Sequence, residues 1–141
     1  MEYLVGFLLS LGTIVFAVVI GLNRDRSFFT TVAFVVATFY VLFAVMGASR
    51  RTLMIEILIA SGFFLVAALG FKGNLWLVAA ALMGHGIFDF VRSGFIANPG
   101  VPQWWPGFCG AFDVIFGGWL VLLLLQRKSF PHSGEMDRQV G

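Results

Sequence analysis

Hydrophobic positions run through this chain in five long stretches, separated by short clusters of polar and charged residues. The stretches fall at about residues 3–22, 28–48, 53–71, 75–96 and 107–125. Each is close to the roughly 20 residues that, at about 1.5 Å per residue, cross a hydrocarbon core of about 30 Å. The pattern predicts an all-α fold: a polytopic integral membrane bundle of five transmembrane helices, one domain over residues 1–128, with a mobile polar tail over 129–141. His132 falls in that tail and is given no site role. The chain opens Met-Glu-Tyr without the basic segment of a secretory signal, so the first stretch is expected to be retained as a span.

The first connector, Asn23–Ser27, allows only a tight turn between antiparallel helices, and Ser49–Thr52 and Lys72–Asn74 form the second and third connectors. Ser10, Gly12 and Thr13 interrupt the first span and are expected to mark a face packed on a neighbour. Thr30, Thr31, Thr38 and Tyr40 interrupt the second, where they can bond their own backbone or another helix. The fourth connector is of another kind. Asn98-Pro99-Gly100 places Pro and Gly as a type II turn requires, and Pro102 and Pro106 stiffen it further. Trp104 and Trp105 then belong either to the aromatic belt at a membrane surface or to a wall or lid over a polar pocket.

Composition excludes a soluble domain: 60% of the residues are hydrophobic and 11% charged, too few to furnish a polar exterior. The net charge of +2 comes from basic residues clustered between the spans, which makes them topology determinants and leaves no nucleic-acid face. One side of the membrane receives Arg24, Arg26, Lys72, Arg127, Lys128 and Arg138, and the other receives Arg50 and Arg51, with Arg92 nearby in its helix. This bias predicts a multi-pass protein of the cell membrane with its N-terminus outside, its C-terminus cytoplasmic and the Pro/Trp connector outside, although Arg50 and Arg51 oppose it. Cys109 is the one cysteine, which excludes an internal disulfide and a cysteine-rich metal site.

Ionisable residues inside apolar spans are where chemistry is expected. His85, Asp89 and Arg92 follow one another at i, i+4 and i+7 and share a face of the fourth helix, and Asp113 arrives from the fifth. An Asp and an Arg each cost up to about 3 kcal/mol near the bilayer centre, against about −3 to −6 kcal/mol from the apolar residues of the fourth span. That helix is therefore comfortable only if its polar face points into the bundle. With spans ending at Ile96 and beginning at Gly107, Asp89 and Asp113 lie level, His85 lies one turn deeper, and Arg92 and Cys109 lie shallower. Glycines at 84, 86, 110, 117 and 118 permit close helix approach. Two carboxylates so placed either share a proton or have one partner neutralised by Arg92. Glu56, early in the third span, reads as an interfacial or helix N-terminal carboxylate. The two helices also echo each other, His85-Gly86-Ile87-Phe88-Asp89 against Cys109-Gly110-Ala111-Phe112-Asp113.

His85, Asp89, Asp113 and Arg92 are thus the candidate catalytic residues, with Asn98, Trp104, Trp105 and Cys109 as candidate substrate contacts. A histidine and a carboxylate one turn apart in an apolar cavity can move protons on a lipid-like molecule. A metal is not expected, because a single histidine falls short of the usual ligand sets and Arg92 would repel a cation; no other cofactor is expected either. Cys109 is better read as a packing residue than as a nucleophile. The charges would otherwise form a buried pair that fixes helix register. The His-x-x-x-acid spacing in a five-span chain resembles the emopamil-binding class of sterol isomerases, with Asp89 where that class carries Glu. Gly84-His85, Asp89, the Pro99–Pro106 connector and Phe108-Cys109 with Phe112-Asp113 resemble small bacterial multi-span membrane proteins to which no activity is attached. The rival readings are a proton-coupled transporter acting as a homo-oligomer and an accessory subunit of a membrane complex.

Overall fold

The structure, a computed structural model, describes residues 1–92 and 94–129, with side chains through Arg127. The tail expected beyond the fifth span, with His132, lies outside the described residues except for Ser129. The helices are α1 (Glu2–Ile20), α2 (Arg26–Gly47), α3 (Arg50–Lys72), α4 (Leu75–Arg92) and α5 (Trp105–Ser129), with a short 3₁₀ turn at Leu22–Arg24 and no strand among the described residues. All five are long and apolar enough to cross a membrane. Leu4, Leu8, Val19, Val45, Met46, Leu58 and Leu65 are more than half exposed, as side chains facing acyl chains should be.

Short connectors are closed by caps that satisfy helix-end groups. Gly21 ends α1 in the left-handed conformation at φ 84°. Asp25 caps α2, accepting from the Ser27 amide at 2.8 Å and its hydroxyl at 2.7 Å. The Ser27 donors hold the exposed Asp25 carboxyl below its ordinary range. Ser49 caps α3 through the Thr52 amide, and the Trp76 amide donates to Asn74 at the start of α4. Arg26 does more than bias topology, since it donates to the carbonyls of Gly70 and Gly73 at the C-terminal end of α3.

Packing does not follow chain order around the bundle. α5 is flanked by α1 and α4, α3 packs on both α2 and α4, and α1 rests on α5 instead of on its sequence neighbour α2. The buried residues of α1 are Gly6, Ser10 and Ala17, so small residues do mark its packed face. Ser10 belongs to that face, whereas Gly12 faces open space. A Cβ on Gly6 would strike the Phe108 carbonyl and lie 3.2 Å from the Ala111 Cβ. Thr30 and Thr38 bond back to the carbonyls of Arg26 and Val35, as expected of hydroxyls in an apolar helix.

Two helix ends differ from the hydropathy reading. α4 stops at Arg92, four residues before Ile96, and α5 starts at Trp105, two before Gly107. Pro106 falls in the first turn of α5, where its missing N–H removes no helical bond. The connector between them is pinned: Thr52 donates to the Ala97 carbonyl, and Asn98 donates to the Tyr40 carbonyl at 3.2 Å. The expected turn is closed by Val101 N–H on the Asn98 carbonyl at 3.1 Å, but it is not type II, because Gly100 does not have positive φ. Gly100 serves close approach instead, its Cα face lying against the Phe43 carbonyl of α2, where a Cβ would collide.

Candidate functional site

The shifted ends of α4 and α5 re-register the two helices. His85 stands seven residues before the end of α4 and Asp113 eight after the start of α5, so these two are level; Asp89 and Cys109, three and four residues from those ends, form a second level pair. His85 is therefore not a turn below Asp113, and Cys109 is not distant from it. His85 Nδ1 lies 2.7 Å from Asp113 Oδ2 and 3.7 Å from Asp89 Oδ2, and Cys109 Sγ lies 3.8 Å from Asp113 Oδ2.

What brings the pairs together is the crossing of the two echoing segments. A Cβ on Gly86 would lie 3.0 Å from the Gly110 carbonyl oxygen, and a Cβ on Gly110 would lie 3.0 Å from that of Gly86. The contact is reciprocal, so the antiparallel helices meet at equivalent glycines. Each His- or Cys-bearing position then faces the aspartate of the other helix. Backbones this close require residues without side chains at the crossing.

The cluster is buried. His85, Asp89, Cys109 and Asp113 are all buried, and the His85 ring is held edge-on by Phe63 of α3 at 5.0 Å and flanked by Tyr40 of α2 at 5.9 Å. The polar atoms inside are poorly satisfied. Both Asp89 carboxylate oxygens, Asp113 Oδ1 and the Tyr40 hydroxyl lack a hydrogen-bond partner among the described residues. Leaving such a group buried costs about 1 to 3 kcal/mol each, more when it is charged. The bundle therefore holds this cluster at the expense of stability.

Arg92 belongs to a different group. Its guanidinium donates to Glu56 rather than neutralising Asp89 or Asp113, and its Cζ stands 3.7 Å over the Tyr40 ring. Glu56 is 1% exposed, so it is a buried partner and not an interfacial carboxylate. The reason lies in the end of α4: Arg92 closes that helix beside the early turns of α3, where Glu56 and Asn98 meet it. Asn98 donates to Glu56 at 3.0 Å and accepts from the Gly100 amide, which commits its amide group to bracing the connector. Sequence reading missed Glu56 and Tyr40. The signal for Glu56 was Arg92 itself, a cation that a span carries only with a counter-charge.

Trp104 and Trp105 line one end of an apolar cleft of about 920 Å³ that opens sideways between α1 and α2 over α5. Leu9, Val35, Phe39 and Cys109 also line it, and Glu2 stands at its mouth. Its size lies within the range of small-molecule sites. Trp105 is fixed by Phe39 and Phe43, each at 4.9 Å, and Trp104 is half exposed. Cys109 is shared by the two features, forming part of the cleft wall and part of the polar cluster.

No family model, curated protein or solved structure matches the chain.

Proposed function

We propose that this membrane protein binds a lipid-like amphiphile in the lateral cleft and carries out acid/base chemistry on it with the His85, Asp89 and Asp113 cluster. The observation that carries the reading is the position of Cys109, which lines the apolar cleft and whose thiol donates at 3.8 Å to Asp113 Oδ2 of the buried cluster. A cleft with almost wholly apolar walls, open toward the acyl chains, selects its occupant from the bilayer. Glu2, Trp104 and Cys109 all lie toward the same end of the bundle, so the polar end of the amphiphile sits there and the tail extends along α1 and α2. On the other side of Cys109, the pair of His85 Nδ1 and Asp113 Oδ2 supplies a proton donor and acceptor in one hydrogen bond. Arg92 acts as a positioning residue through Glu56 and Tyr40. By the basic-residue bias, this end of the bundle faces outside.

Mass spectrometry of the protein extracted in mild detergent tests the proposal. Wild type is expected to retain an amphiphile, and Val35→Trp, which fills the cleft from a half-exposed position, is expected to lower retention at least about tenfold at normal yield. Asp113→Asn, which leaves the cleft walls intact, is expected to keep a bound molecule but to lose any product masses present in wild type. Equal retention by wild type and Val35→Trp would remove the cleft from the account.

A further inference from the structure

We infer that His85, Asp89, Cys109 and Asp113 form a binding site for a divalent transition-metal cation of the zinc type. The inference rests on the same buried cluster as the proposed function but does not require the cleft to be occupied, and it concerns a second state of that cluster, because His85 Nδ1 and Asp113 Oδ2 do not share a proton while both ligate a metal. One ligand atom from each of the four residues lies within 4.8 Å of all the others. A tetrahedral site with bonds of about 2.0 to 2.3 Å has ligand-to-ligand edges of about 3.3 to 3.8 Å. The separations of 3.7 Å from His85 Nδ1 to Asp89 and 3.8 Å from Cys109 Sγ to Asp113 already lie in that range, and the 2.7 Å between His85 and Asp113 has to open slightly.

Three further observations point to a cation. Both oxygens of Asp89, which is 0% exposed, and Asp113 Oδ1 have no hydrogen-bond partner among the described residues, so acceptor capacity is left over inside the cluster. The donor set of one imidazole nitrogen, one sulfur and two carboxylates suits a borderline cation better than calcium or magnesium, which take oxygen alone. The repulsion expected from Arg92 is offset, because that guanidinium is paired with Glu56. A divalent ion offsets all but one of the three negative charges of the two carboxylates and the Cys109 thiolate, which removes most of the cost of burying like charges in one low-dielectric site. Binding displaces protons from Cys109 and from the carboxylates that carry them, so affinity falls as pH is lowered.

The test is elemental analysis of the full chain purified in detergent through a tag that does not bind metal. About one equivalent of zinc-type metal per chain is expected. After stripping with a chelator and reloading with cobalt(II), wild type is expected to show tetrahedral ligand-field bands and a thiolate-to-cobalt charge-transfer band. Cys109→Ser should lose the charge-transfer band and keep the ligand-field bands, and Asp89→Asn should weaken cobalt affinity by at least about tenfold. Cys109→Ser is conservative enough to fold, which keeps the spectroscopic outcome decisive. Less than about one-tenth of an equivalent in folded wild type, with no cobalt spectrum on reloading, overturns the inference. So does a cobalt spectrum unchanged by both substitutions. Retained amphiphile without metal sinks this inference alone, and metal without retained amphiphile sinks the cleft reading alone.

Discussion

Glu56→Leu is expected to destabilise the protein by about 3 to 5 kcal/mol, the usual consequence of leaving a buried charge without its partner. Arg92 is 2% exposed, and its Nε already lacks a hydrogen-bond partner among the described residues, so loss of the carboxylate leaves the guanidinium buried without its ion-pair partner. The face of Tyr40 would remain, worth about 2 kcal/mol or more to a desolvated cation, but it carries no counter-charge. Asn98 would also lose its bond to Glu56 and loosen the connector at its anchor. Glu56→Leu combined with Arg92→Met should recover most of the loss, because two apolar side chains of similar volume often replace a buried pair at no net cost. Unfolding in mixed detergent, compared among wild type, both single variants and the double variant, checks this. Additive losses in the double variant would mean that the two residues do not act as a pair.

The second large effect is expected at the helix crossing. Gly110→Val would set a Cβ 2.8 Å from the Phe90 ring and 3.0 Å from the Gly86 carbonyl, and the carbonyl, as backbone of the facing helix, cannot give way as a side chain can. Overpacking of this kind costs about 1 to 3 kcal/mol, and here the helices must part to relieve it. Because the site is built across that crossing, separation also lengthens the bond between His85 and Asp113. Gly118→Val on the same helix is the control: its Cβ would meet nothing within 4 Å, so stability should change by less than about 0.5 kcal/mol. The measurement is the stability of the two variants together with the amphiphile and metal content of each. Loss of bound ligand in Gly110→Val but not in Gly118→Val is the expected result. Equal behaviour would mean that the crossing does not set the site.

The number and type of the helices were legible because a bilayer imposes one simple demand, an uninterrupted apolar run of sufficient length. The partnership of α4 and α5 was legible for a related reason: His85, Asp89 and Asp113 are too costly to face lipid. Register was not. Hydropathy marks where a span leaves the bilayer, not where its helix ends, and α4 stops at Arg92 while apolar residues continue to Ile96. Those four residues, with two more at the start of α5, move His85 level with Asp113 and bring Cys109 into the cluster. The partner of Arg92 was hidden because three carboxylates were available and pairing depends on tertiary contact. Gly100 does lie in the expected turn, without the positive φ of type II, and its further role of letting the connector touch α2 is one that no local pattern reveals.

The contrast between Glu56 and Asp89 separates a structural pair from a functional site. Glu56 is satisfied by Arg92 and Asn98, whereas neither oxygen of Asp89 is hydrogen-bonded among the described residues. A residue kept only to hold the bundle together should resemble the first. The most direct measurement is the unfolding free energy of metal-stripped Asp89→Leu against metal-stripped wild type in the same detergent. The site reading predicts that the variant is more stable by about 1 to 3 kcal/mol. A variant less stable than wild type by about 2 kcal/mol or more would show instead that Asp89 is there to hold the helices in place.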